Sequence, residues 1–309
     1  MEAPIPVQMF QNENCWGIGE RVRTNTTMRY HSFKPGPPLG DFIHNFWLYE
    51  DYVVPQLKDH ILPSGTIELV INLRDDELRI YDATLSGQYR RFSGAIVSGA
   101  YGGFFAIDTL QETLIMGVHF KPGGAFPFLG VSANELTDTH VDLETLWGRA
   151  AINLRERLCA AATPMQRFAL MEEAMLSHQR RPLEHHYAVP IALAALGQTD
   201  DDVSVRDVAR HVGLSQRRFI QVFKGEVGLT PKLFSRVQRF QRVLTLVQQT
   251  PPDWARLAVE CGYFDQSHLI RDFVSFSGFN PTEYFDHQKL LSRQKAHIKF
   301  NHFPLPENR

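Results

Sequence analysis

Cysteine is scarce in this chain: three residues, Cys15, Cys159 and Cys261, among 309. They form neither a CxxC pair nor the spacing of a zinc site, which argues against a disulfide framework and suits a reduced, cytoplasmic setting. There is no apolar run of 18 residues and no recognisable secretory leader, so a soluble protein with no membrane partner is expected. Phosphate-loop chemistry is also missing. Lys121-Pro-Gly-Gly-Ala-Phe126 lacks the Gly-Lys-Ser/Thr ending and reads as a loop between strands. His44, His60 and His119 carry no HxH or His-plus-Glu spacing, so no metal is expected; adjacent His185 and His186 read as linker residues. No nucleophile, base and acid stand in a catalytic pattern, so neither an enzyme nor a cofactor is expected.

What is present is an internal echo about 50 residues apart. Val208 to Phe234 reads VARHVGLSQRRFIQVFKGEVGLTPKLF, and Leu257 to Phe285 reads LAVECGYFDQSHLIRDFVSFSGFNPTEYF. Ala209, Gly213, Phe223, Gly228 and Pro231 recur as Ala258, Gly262, Phe273, Gly278 and Pro281, with one extra residue between Gly and Phe in the second copy.

Each copy has the order of a helix-turn-helix: a helix with a small residue, a Gly four positions on where the turn needs positive φ, a polar cap, then a second helix. Ser215 and Asp265 are the expected N-caps. Phe219 with Phe223, and Leu269 with Phe273, fall at i, i+4 and are expected to face inward. The opposite faces carry Arg217, Gln221 and Lys224 in the first copy, and Gln266, Ser267 and Arg271 in the second. With Ser215, Gln216, Arg218 and His268 they make the expected DNA-binding set. Arg bonds guanine bidentately and Gln bonds adenine, so a helix apolar behind and polar in front suits a major groove.

Between the units, Pro231 to Gln249 predicts one helix, with Leu233, Val237, Phe240, Leu244 and Val247 as its buried stripe and Pro251-Pro252 as its stop. Arg236, Arg239 and Arg242 spread round it, as candidates for phosphate or for acidic neighbours. From Val203 to Phe300, fifteen Lys and Arg stand against eight Asp and Glu, a balance of +7 in a chain of net charge −2. A basic segment beside an acidic one points to polyanion binding by one part of the chain.

Upstream the texture changes. From Phe42 to Phe128 it is β, with Ile67, Leu69, Ile71 and Leu73 alternating along one segment and Leu114, Met116, Val118 and Phe120 along another. A small antiparallel sandwich or barrel is expected, in which Phe46, Trp47, Tyr49, Tyr101, Phe104 and Phe105 either fill the core or line a pocket. From 141 to 181 the period turns helical. Leu143, Leu146, Trp147, Ala150, Leu154 and Leu158 are read as one stripe; Thr163-Pro164 opens a second helix with Phe168, Met171 and Met175 inward. This pair either packs on the β half or dimerises. The fold class is therefore α+β in two domains: residues 1–182 (β-rich with the helical pair) and 183–290 (all-α, tandem helix-turn-helix), followed by a basic tail, 291–309.

On the tandem copies, and most specifically on LAVECGYFDQSHLIRDF and GFNPTEYF, the segment from about Val203 to Phe285 resembles the AraC/XylS family of transcription regulators. The resemblance implies two recognition helices entering successive major-groove segments of double-stranded DNA. Upstream, PPLGDFIHNFWLYED, HILPSGTIELVINL, GVHFKPGGAFPFLGV and VDLETLWG are similar to the β-rich sensor domain of one branch of that family. No particular ligand follows from it, but many relatives carry an effector-binding β domain here, so an unidentified small-molecule effector is a candidate partner, as is RNA polymerase; the family resemblance together with the helical pair suggests a homodimer. The alternative from another class is a cupin-like metal-binding or enzymatic β domain fused to a DNA-targeting module.

Overall fold

The computed structural model describes residues 29–51, 58–81, 88–109, 113–197, 204–247, 253–293 and 301–304. Cys15, Val203, Gln249, Pro251 and Pro252 lie outside them, as do the tail segments 294–300 and 305–309. Eleven strands occur among the described residues: β1 (Arg29–Phe33), β2 (Ile43–Glu50), β3 (Lys58–Ile61), β4 (Glu68–Asn72), β5 (Glu77–Tyr81), β6 (Tyr89–Ser93), β7 (Ala95–Ser98), β8 (Phe105–Asp108), β9 (Leu114–Phe120), β10 (His140–Asp142) and β11 (His302–Pro304). They pair antiparallel in two sheets, ordered β1-β2-β9-β4-β7-β10 and β11-β3-β8-β5-β6, a sandwich and not a closed barrel.

The larger sheet is covered on both faces. Leu69, Ile71, Met116, Val118 and Phe120 point, as their alternation requires, into one core with the helices. Tyr49, Ile96 and Ile115 point the other way, against Leu78, Ile80 and Phe92 of the smaller sheet. Phe46 belongs to the first core and Tyr49 to the second, while Phe104, Tyr101 and Phe105 lie near the helical half and a small cleft.

After the short helix α1 (Phe126–Leu129) come α2 (Leu143–Trp147), α3 (Arg149–Ala160) and α4 (Pro164–Ser177). The single stripe expected from Leu143 to Leu158 is broken at Gly148, whose φ of 59° ends α2 and resets the helical phase. Ala151 is buried in consequence and Ala150 is exposed, the reverse of a continuous helix. Thr163 caps α4 by accepting from the Gln166 amide, and Phe168, Met171 and Met175 face the larger sheet. Arg167 of α4 reaches Glu50 of β2 at 3.0 Å, both nearly buried.

The helical half holds α5 (Ala188–Leu196), α6 (Val205–His211), α7 (Gln216–Val227), α8 (Pro231–Val247), α9 (Trp254–Glu260), α10 (Gln266–Ser277) and α11 (Pro281–Arg293). Its core is continuous with that of the β half: one apolar cluster runs from Leu39 to Phe303. The buried stripe of α8 takes Phe234 in place of the expected Leu233, which is only partly buried, and adds Val243. The helix is packed on more sides than a surface helix because the β half covers it too.

Residues 302–304 return to the smaller sheet as β11 and pair with β3, His302 opposite Ile61 and Pro304 opposite Asp59. Phe303 is buried among Phe279, Tyr284 and His287, and His302 Nδ1 lies 3.0 Å from the buried Asp59 carboxylate. The composition of 291–309 signals charge; a three-residue strand leaves almost no periodic trace.

Candidate nucleic-acid interface

Two helix-turn-helix units, α6–α7 and α9–α10, are built alike. Gly213 and Gly262 sit at φ 70° and 73°, and each turn is closed by an amide returning to the preceding helix: Leu214 to the Ala209 carbonyl, Tyr263 to the Ala258 carbonyl. Ser215 then accepts from the Arg218 amide, and Asp265 from the His268 amide at 2.7 Å, satisfying donors that a helix start leaves open. Phe219, Phe223, Leu269 and Phe273 are buried behind these helices. Burial pushes the Cys261 thiol up to about 11, as suits a packing residue of the second unit.

Of the ten residues expected to bind DNA, Ser215, Gln216, Arg217, Arg218, Gln221, Gln266, Ser267 and Arg271 are exposed, while Lys224 and His268 are half-buried. Arg218 donates to the Gln221 side chain at 3.0 Å and so orients it. Arg271 donates to the Ser267 carbonyl at 3.3 Å, and His268 stands edge-on to Tyr263. Ser215 is occupied as a cap. Gln216 to Arg218 and Gln266 to His268 lie in the first turns of α7 and α10, where the helix dipole presents partial positive charge, while Gln221 and Arg271 lie at mid-helix.

The opposite ends of both helices are held by the β half. Gly228 and Gly278, the other recurring glycines, cap α7 and α10 in left-handed conformation. The Gly225 carbonyl accepts from Ser132 at 3.1 Å and the Gly228 carbonyl from Thr137 at 2.5 Å. The Ser277 carbonyl accepts from His60 Nδ1 at 3.1 Å. A Cβ on Gly278 would come within 2.6 Å of the Phe104 ring, so only glycine allows this approach. Between them α8 donates from Gln238 to the Ser64 carbonyl and from Gln241 to the Pro63 carbonyl, at 3.1 and 2.7 Å. Glu226, buried in α7, accepts from the His186 amide and bonds His185 Nδ1 at 2.9 Å each; the His185 ring also packs on Phe42 of the β half. These anchors had one visible sign in the sequence, the second pair of repeated glycines.

The arginines of α8 turn inward. Arg236 bonds both oxygens of buried Asp272 on α10, at 2.7 and 3.3 Å, and lies over Phe276. Arg239 donates to the Gly262 carbonyl and lies over Tyr263. Both tie α8 to the second unit, and their partners lie 23 to 36 residues away.

In the β half one of the three candidate histidines, His60, lies apart from the other two. His44 meets His119 edge-on at 5.7 Å, and His119 bonds Glu68 at 2.8 Å, while His60 stacks on Phe104 at the helical half. No group of three or more His, Cys, Asp or Glu among the described residues is placed to hold a metal ion. Ser98 and Tyr101 both bond His140, but burial pulls that imidazole down to about 3.

The turn geometry carries a prediction. Valine at Gly262 would force a β-branched residue into the left-handed region, and it is expected to cost more than about 1 kcal/mol. The full chain with Gly262→Val should melt lower and lose the half of its footprint held by the second unit. Unchanged melting and footprint would contradict this role for the turn.

Residues 208–287 match a family described as a helix-turn-helix domain. Residues 31–142 match a domain of unknown function, DUF6597. An uncharacterized HTH-type transcriptional regulator of Haemophilus influenzae is 26% identical over 92 residues, 30% of this chain and 31% of that protein. The probable transcriptional regulator LumQ of Photobacterium leiognathi is 27% identical over 82 residues, 26% of this chain and 33% of that protein. The match thus spans about a third of the length of these curated relatives. Among solved structures, ToxT from Vibrio cholerae aligns over 85% of this chain and 98% of its own, at 9% identity and a TM-score of 0.44. No described helix is long and apolar enough to cross a membrane.

Proposed function

We propose that this chain, whose residues 208–287 form an AraC-type tandem helix-turn-helix domain, is a sequence-specific transcription regulator that reads double-stranded DNA with two helices. One observation carries the reading. Both α7 and α10 are capped and polar at their free N-terminal ends and buried against the β half at their C-terminal ends. Arg217 and Gln221 are the readers of the first helix, Gln266 and Arg271 those of the second; Arg218, Lys224, Gln216, Ser267 and His268 flank them.

A chain with two reading heads protects two major-groove segments about one helical turn, or ~34 Å, apart on an asymmetric site. Footprinting of the full chain tests this, and a doubled footprint marks the expected homodimer. Protection of a single segment would overturn the two-helix reading. With about 6 phosphate contacts, log affinity should fall against log monovalent salt with a slope of roughly −5. Titration between low and physiological salt measures it; binding nearly independent of salt would place the interface elsewhere.

The β half supports a ligand-responsive role because it touches α7, α8 and α10 together. A small cleft beside these contacts has a mixed lining, polar at Ser64, Thr66 and Tyr101 and apolar at Ile61, Leu62 and Phe105. A ligand that prefers one arrangement of Pro63, Ser64 and the tail strand changes the hold on α8 by the difference in its affinities.

A further inference from the structure

The two units present different chemistry on matching positions. In the first, Val205–Val227, the cations are Arg206, Arg210, Arg217, Arg218 and Lys224; in the second, Trp254–Ser277, only Arg256 and Arg271. Arg210 and Lys224 correspond to Val259 and Val274, and Arg217 to Ser267. The one residue added to the second copy is Phe264, which stands directly before the cap Asp265 and is 87% exposed. Val259, at the end of α9, is 72% exposed. Two cations of the first unit thus give way to valines in the second, and an exposed phenylalanine is added directly before the cap of α10.

We propose that Phe264 contacts thymine 5-methyl groups in the major groove, so that the second unit selects T by apolar contact while the first selects G through arginine. This rests on the reading of α10 as a recognition helix. The size of the surface favours DNA over a protein partner. A phenylalanine offers about 150–250 Å², against about 800 Å² per side in a stable protein interface. A thymine methyl is the apolar group that the groove displays, and an aromatic side chain is one of its fitting partners. Gln266 and Ser267, next along the same helix start, supply the hydrogen bonds to neighbouring base edges.

The test replaces each thymine in the groove segment protected by the second unit with deoxyuridine, which removes only the methyl group. Wild-type protein should lose about fourfold in affinity for each contacted methyl. Phe264→Ser should bind the thymine site that much more weakly and show no further loss with deoxyuridine. Phe264→Leu should keep part of the methyl sensitivity. Because the side chain is exposed, the variants should melt as wild type does. Equal wild-type affinity for the thymine and deoxyuridine sites, or undiminished methyl sensitivity in Phe264→Ser, would overturn the proposal while leaving the DNA-binding reading intact. Failure of the wild type to prefer any duplex over a scrambled one would overturn both.

Discussion

Alanine at Arg217, Gln221, Gln266 and Arg271 together should reduce binding to the preferred site by about a thousandfold or more, since each lost base contact costs about 1 to 3 kcal/mol. The floor is the affinity for scrambled DNA, because the phosphate contacts that supply sequence-independent binding remain. The four residues are exposed, so melting should not change. Single substitutions should each relax preference at one or two base pairs. Gln221→Ala and Arg218→Ala should resemble one another at the Gln221 position, since Arg218 holds the Gln221 amide oxygen at 3.0 Å. Competition binding with systematically mutated sites measures these effects. Four single variants that all keep wild-type preference would show that the docking face is not this one.

The second large effect concerns stability. Phe303 is 1% exposed and packs on Phe279, Tyr284 and His287 while its backbone extends the smaller sheet beside β3. Phe303→Ala removes that ring from a site walled by two elements, which should cost roughly 3 to 5 kcal/mol. At about 2 to 4 °C per kcal/mol, Tm should fall by on the order of 10 °C. Phe303→Leu, which keeps most of the volume, should fall much less. Loss of β11 also bares the edge of β3, so the alanine variant should aggregate more readily on heating. Thermal melting of the full chain decides it. Wild-type melting of Phe303→Ala would mean that the tail strand contributes nothing to the native state.

The same continuity bears on cutting the protein in two. A fragment beginning near Arg181 keeps both units but uncovers Phe234, Phe279 and Phe303, which share one cluster with Leu62, Ile67 and Ala100 of the β half. Ser132, Thr137 and His60, which hold the C-terminal ends of α7 and α10, are also lost to it. The relative setting of α7 and α10 is therefore best measured in the whole chain.

Much of this protein was written locally. Caps at Ser215, Asp265 and Thr163, the turns at Gly213 and Gly262, and the alternation of β4 and β9 each depend on residues within a few positions of one another. Sequence by itself therefore determined the two helix-turn-helix units, the polar residues on their outer faces and the two-class fold. Tertiary structure alone decided the rest. On a linear reading Arg236 and Arg239 could reach phosphate or acidic neighbours; the fold gives Arg236 the acidic neighbour Asp272 on α10 and Arg239 the Gly262 carbonyl, and a charged group takes the preorganised acceptor in place of solvent. Leu146 and Ala150 follow a helical period that Gly148 interrupts, so burial passes to Ala151. The strand at 302–304 exists because β3 offers an unpaired edge and a hydrophobic site some 240 residues upstream, and no local propensity encodes a partner at that distance.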